Sequence, residues 1–161
     1  MRLSADLSPE QAAHMLAGLV LANIAQIEQA VQRGVLAPGQ TPLLDGLRSG
    51  AVRYERVDPG EDWKDWQRLL TDGWGDCEDL VPAICAEYIV QVGLRAEPIA
   101  YWPGGDAPWH VVACVERAPL LEGPLGRAEL AIRRILGLGN LLPGRGVWYA
   151  DPSVMGGMGA V

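Results

Sequence analysis

Phenylalanine is absent from this chain of 161 residues, histidine occurs only twice and cysteine three times. Each scarcity narrows the chemistry. The two histidines, His14 and His110, lie too far apart to offer a metal-ligand spacing, so no metal site is expected, and no cofactor is expected either. An odd cysteine count with no CxxC pair argues against a disulfide framework. It suits free thiols in a reducing compartment, hence a cytoplasmic protein. Basic residues are also short, 13 against 20 acidic, for a net charge of −7. A nucleic acid or an anionic membrane would want a basic face, and neither partner is expected. The longest apolar stretch, Met15 to Ala22, falls far below the roughly 20 residues of a membrane span. Met1 to Asp6 has neither an apolar core nor a small-residue cleavage site, which predicts no signal peptide.

What is present reads as one globular α+β domain over residues 1–161. Hydrophobic residues make up 49% and charged residues 20%, and a chain of this length buries about 70% of its unfolded surface. Ser8-Pro9-Glu10-Gln11 is a helix start, with Ser8 as N-cap and Gln11 completing a capping box. Ala12, Met15, Leu16, Leu19, Val20, Ile24, Ile27 and Val31 then recur at helical spacing until Gly34. His14 falls on or near the solvent side. Residues 35–50 read as loop with a short turn around Leu43 to Leu47, and Ala51 to Val57 as a short extended segment. Asp58 to Asp62 is a turn, and Trp63 to Leu70 a short helix. A central helix starts after Gly73 to Asp76 and runs to about Gly93, with a core stripe of Val81, Ile84, Cys85, Tyr88 and Val92. Pro82 lies beyond its first turn, where proline leaves a gap in the ladder. Either the regular helix begins after Cys77, or its first turn is irregular. Glu97 to Trp102 and Trp109 to Glu116 alternate as strands about the turn Pro103-Gly104-Gly105-Asp106. A helix over Leu125 to Leu136 and a third strand over Gly146 to Asp151 complete the order.

Three segments carry the chemistry. Cys77 sits in Trp74-Gly75-Asp76-Cys77-Glu78-Asp79-Leu80, His110 opens the apolar strand Trp109-His110-Val111-Val112, and Asp151 ends Trp148-Tyr149-Ala150-Asp151-Pro152. Cysteine, histidine and aspartate in this order make a thiol triad: a nucleophile, a proton carrier and a carboxylate that fixes the imidazole. Blander readings compete. Cys85 and Cys114 fit as core hydrophobes, His110 can be a strand-edge histidine, and Asp151 a turn residue before Pro152. Two acids and a Gly-Asp turn around Cys77 suit a core position poorly. A helix N-terminus lowers the thiol's pKa while Asp76, Glu78 and Asp79 raise it, so pairing with His110 is the expected activating term. Asp76 is a natural N-cap, and Glu78 or Asp79 can bond backbone amides or a neighbouring strand. Strand alternation puts His110, Val112 and Cys114 on one face, within reach of Asp151 on an antiparallel neighbour. Asp106 is the rival orienter. The oxyanion donors are the Cys77 amide plus one of Trp74, Trp63, Trp66 or Gln67.

These residues resemble the transglutaminase-like superfamily of thiol enzymes, most closely its bacterial cysteine-peptidase branch. Tyr54, Asp62-Trp63, Leu69/Leu70 and Gly75-Asp76-Cys77-Glu78-Asp79-Leu80 match that branch's run into its Gly-Asp-Cys-Glu-Asp turn. Gly93-Leu94-Arg95-Ala96 matches the end of its central helix, and the histidine and aspartate segments resemble its two strands. The similarity covers residues 54–115 and 147–153. It implies a papain/transglutaminase-like core, with a central helix bearing Cys77 on a small antiparallel sheet, and a Cys77/His110/Asp151 triad. Residues 1–50 are then an N-terminal helix and linker, 51–116 and 147–154 the catalytic core, and 117–146 an insertion. The 41-residue step from His110 to Asp151 departs from the family's short hairpin. That insertion reads as a lid, a surface for a partner protein, or an elaboration of the sheet edge.

The expected function is a thiol hydrolase, a cysteine peptidase or amidase cleaving an amide of a peptide or protein substrate through a Cys77 acyl-enzyme. One alternative is a transglutaminase-type, amide-forming acyltransferase. The other is a non-catalytic structural or phage-assembly protein that keeps the fold.

Overall fold

The computed structural model describes residues 8–56, 63–101, 110–116 and 147–155. The predicted turns at 58–62 and 103–106, the insertion 117–146 with its helix at 125–136, Asp106, Trp109 and the tail beyond 155 lie outside them.

Helix α1, Pro9–Gln32, starts as its sequence predicts. The Gln11 amide donates to Ser8 Oγ at 3.2 Å and the Ser8 amide to Gln11 Oε1 at 2.8 Å. Its buried stripe runs through Ala12, Leu16, Val20 and Ile27, with His14 exposed. Helix α2, Pro42–Ser49, is a fuller element than the short turn predicted. Leu43, Leu44 and Leu47 are buried, and its cap comes from another helix: Glu87 accepts from the Leu43 amide at 2.8 Å and the Leu44 amide at 3.0 Å. A cap supplied from 43 and 44 residues away leaves no local signature.

Strand β1, Arg53–Tyr54, pairs in parallel with β2, Trp74–Gly75, on either side of helix α3, Trp66–Asp72. Asp65 caps α3 through the Arg68 amide at 2.9 Å, so the helix begins three residues later than Trp63. Helix α4, Cys77–Glu87, starts at the cysteine itself and contains Pro82, then continues as a π-helical turn over Tyr88–Val92. Val81, Ile84, Cys85 and Tyr88 are buried as predicted, but Val92 is 47% exposed. The π turn adds a residue per turn and rotates Val92 off the core face.

The sheet is antiparallel in the order β3 (Ala96–Tyr101), β4 (His110–Glu116), β5 (Val147–Ala150), and the chain then enters the short helix α5, Pro152–Met155. The Glu116 amide donates to the Arg95 carbonyl at 2.9 Å, which makes 95 and 116 a hydrogen-bonded pair. Alternation then turns the amides of Val111, Ala113 and Val115 toward β5 and the peptide groups of Ala96, Pro98 and Ala100 to the open edge. Pro98 has no N–H to leave unpaired there. Val111, Ala113 and Val115 also point their side chains into the core, where α4 packs on β4 and against α1. The protein is thus a mixed helix-and-sheet fold with a small antiparallel sheet. Among the described residues no helix is long and apolar enough to cross a membrane.

Candidate functional site

Asp76 is the N-cap of α4, its Oδ1 accepting from the Glu78 amide at 2.9 Å and the Asp79 amide at 3.2 Å. That fixes Cys77 at the first helical position. Asp79 is buried and its Oδ1 accepts from the Lys64 amide at 2.8 Å, so this acid ties α4 to the segment before α3. Gly75 is closely packed. A Cβ there would stand 2.5 Å from Leu69 Cδ2 and 3.3 Å from Asp79 Cβ.

His110 and Asp151 come together, with Nε2 to Oδ2 at 3.0 Å. The sheet register explains how. Ala113 opposes Ala150, so Asp151 is the next residue along beside Val112, on the face His110 shares with Val112. Asp151 also caps the start of α5, its Oδ1 accepting from the Ser153 amide at 2.9 Å and hydroxyl at 2.6 Å. Burial alone would raise this carboxyl, but the Ser153 hydroxyl, the His110 ring and the Ser153 amide outweigh it and hold it below the ordinary value. An ionised carboxylate only accepts, so Nε2 is the donor of this pair, and in a neutral ring Nδ1 is then the acceptor. Tyr101 meets the ring edge-on, centroids 5.5 Å apart and planes at 88°.

The thiol sits one residue along the strand. β5 ends at Ala150, and Pro152, which would oppose Val111, already belongs to α5. The Val111 amide is therefore not used by the ladder and hydrogen-bonds the Cys77 sulfur instead. Cys77 is only 6% exposed, although two acids and a Gly-Asp turn around it suit a core position poorly. Burial foremost pushes its thiol up to about 12, Asp76 and Glu78 add to this, and the Val111 amide offsets part of it. Nor does an ion pair with His110 activate it: among the described residues no hydrogen bond joins the two. The acids and the loss of water outweigh the helix N-terminus, and the resting group is a neutral thiol. Cys85 and Cys114 are buried, as core cysteines should be.

Of the named oxyanion candidates, Trp66 donates its indole N–H to Glu87 at 2.8 Å and is thereby spent. Trp74 lies under the Lys64 ammonium, 2.7 Å from the ring centroid, while its carbonyl accepts from the same nitrogen at 3.3 Å. Gln67 is exposed on α3, its amide donating to Gln26 of α1 at 3.4 Å, and Trp63 is half-buried. Lys64 itself was not singled out in the sequence. Its charge is buried against Asp72, at 3.3 Å, and Trp74, a cluster that needs all three residues in place before it can be recognised. Among the described residues no group of three or more His, Cys, Asp or Glu could hold a metal ion.

Fold and site together define a mixed α and β protein with a histidine–aspartate pair beside a cysteine at the first position of a helix. No family model, no curated protein and no solved structure matches the chain.

Proposed function

We propose that this chain is a thiol hydrolase with a papain/transglutaminase-like core, cleaving an amide of a peptide or protein through an acyl-enzyme on Cys77. The observation that carries the reading is the 3.0 Å His110–Asp151 pair beside the strand amide that holds the Cys77 sulfur. A neutral thiol requires the proton to leave during attack. As the S–C bond forms, the Sγ proton passes to His110 Nδ1, and Asp151 stabilises the imidazolium through Nε2–H. The C–N bond then breaks and the departing nitrogen takes the proton from Nδ1. A water gives its proton to Nδ1 and attacks the thioester; collapse releases the acid and returns the proton to sulfur. Catalytic hydrogen bonds absent at rest commonly close only in the substrate complex.

The depth of Cys77 and its raised pKa favour one second reading, a non-catalytic scaffold of the same fold. Mass spectrometry of a peptide library incubated with the reduced protein separates the two, with and without millimolar primary amine. Hydrolysed products that disappear in Cys77→Ala support the hydrolase. Predominant amine adducts move the assignment to an acyltransferase, and neither product supports the scaffold.

A further inference from the structure

We infer that Tyr54 is a catalytic hydrogen-bond donor of this site, its hydroxyl binding the oxyanion that forms when Cys77 attacks an acyl carbonyl. The inference rests on the thiol-hydrolase reading and supplies the donor that reading lacks. Tyr54 is the direct partner of Gly75 in the β1–β2 pair, two residues before the nucleophile. Two backbone bonds hold that register: the Arg53 amide to the Gly73 carbonyl and the Glu55 amide to the Gly75 carbonyl, each 2.9 Å. The ring packs against the core and the residue is half-buried. Its hydroxyl makes no hydrogen bond among the described residues and lies within electrostatic reach of Cys77, Asp76 and Asp151. The register thus sets this phenol on a third element of the site, next to the β2 residue two before Cys77, with no hydrogen-bond partner among the described residues.

The chemistry suits the group. Burial first, then Cys77 and Asp76, push the Tyr54 phenol up to about 12, so it stays a neutral donor at neutral pH. When sulfur adds to the carbonyl, the π pair moves onto oxygen, and that oxygen accepts from Tyr54 Oη–H and from the Cys77 amide. The thiol proton is on His110 at this stage, and Tyr54 keeps its own throughout. Collapse returns the electron pair to the carbonyl and expels the leaving group. Two of the other side-chain candidates are set aside: Trp66 is bonded to Glu87, and Gln67 lies exposed on α3.

p-Nitrophenyl acetate and iodoacetamide test this on the full chain. The ester acylates the thiol through a tetrahedral oxyanion, whereas iodoacetamide reacts by displacement at a saturated carbon and forms none. Tyr54→Phe removes one oxygen and keeps the ring. The nitrophenolate burst is expected to slow on the order of 10²–10³-fold, as for loss of one oxyanion donor. Alkylation of Cys77 is expected to stay within about twofold of wild type, on the same reasoning that no oxyanion forms. Equal burst rates, or a parallel slowing of alkylation that marks a structural role, would overturn the inference while leaving the hydrolase standing. A wild-type protein whose Cys77 is never acetylated overturns both.

Discussion

A carboxylate with no exposed surface, Glu87, ties three helices together. It ends α4, caps the first turn of α2 through two amides and accepts the Trp66 indole of α3. Glu87→Ala orphans three buried donors, each costing on the order of 1–3 kcal/mol, against a total stability of about 5–15 kcal/mol. That variant is expected to be largely unfolded. Glu87→Gln keeps an oxygen for Leu43 and Trp66 but turns an NH₂ toward the Leu44 amide, for a loss on the order of 1–3 kcal/mol. Its pH dependence has a definite sign. Burial raises the Glu87 carboxyl above its ordinary value despite the three donors. A raised acid contributes stability that is present below its unfolded pKa of about 4.3 and is lost as pH rises through the folded value. Urea unfolding should therefore show the wild type's advantage over Glu87→Gln greatest near pH 4, narrowing as pH rises. An advantage that widens with pH would contradict this account of Glu87.

Between elements, close approach decides what substitutions do. Gly18 in α1 has nothing within 4 Å of a built Cβ, whereas at Gly75 that Cβ meets the fully buried Leu69. The same Gly→Ala change should act in opposite directions. At Gly18 it raises helix propensity and is expected to add roughly 0.5–1 kcal/mol. At Gly75 overpacking is expected to cost about 1–3 kcal/mol, lowering Tm by roughly 2–12 °C. Differential scanning calorimetry of the two variants checks both signs; a Gly75→Ala protein as stable as wild type would mean that β2 does not sit tightly on α3 and α4. Elements of this kind were unevenly legible in the sequence. The α1 capping box and the strand at 110–116 are local patterns and both are present, but Val111 to Val115 are buried without a break rather than alternately. α2 was missed because its cap is Glu87, and Val92 because a π turn shifts the helical phase after Glu87.

At the scale of the whole molecule, two parts made far apart in sequence form the site. The β2–α4 turn carries Cys77, and the β4–β5 register sets Asp151 diagonally from His110. Chain order alone made these three residues the candidates, since the chain has only two histidines and one of them opens a strand. It could not give the depth of Cys77, which depends on β4 lying against the start of α4 and on β5 stopping where the Val111 amide is needed elsewhere. On the proposed function, the three side chains act as one nucleophilic unit, through the Nε2–H tautomer that Asp151 imposes. Asp151→Asn probes it sharply. Ser153 holds the oxygen at Oδ1, so the new NH₂ faces His110 Nε2 and forces the proton onto Nδ1, the nitrogen that must accept from sulfur. The measurement is intact-mass detection of Cys77 acetylation by p-nitrophenyl acetate in wild type, Cys77→Ala, His110→Ala and Asp151→Asn. A Cys77 adduct is expected in wild type, none in Cys77→Ala or His110→Ala, and a rate in Asp151→Asn lower by on the order of 10⁴, as when a triad carboxylate is lost. Acetylation of Cys77 at the wild-type rate in both His110→Ala and Asp151→Asn would contradict it.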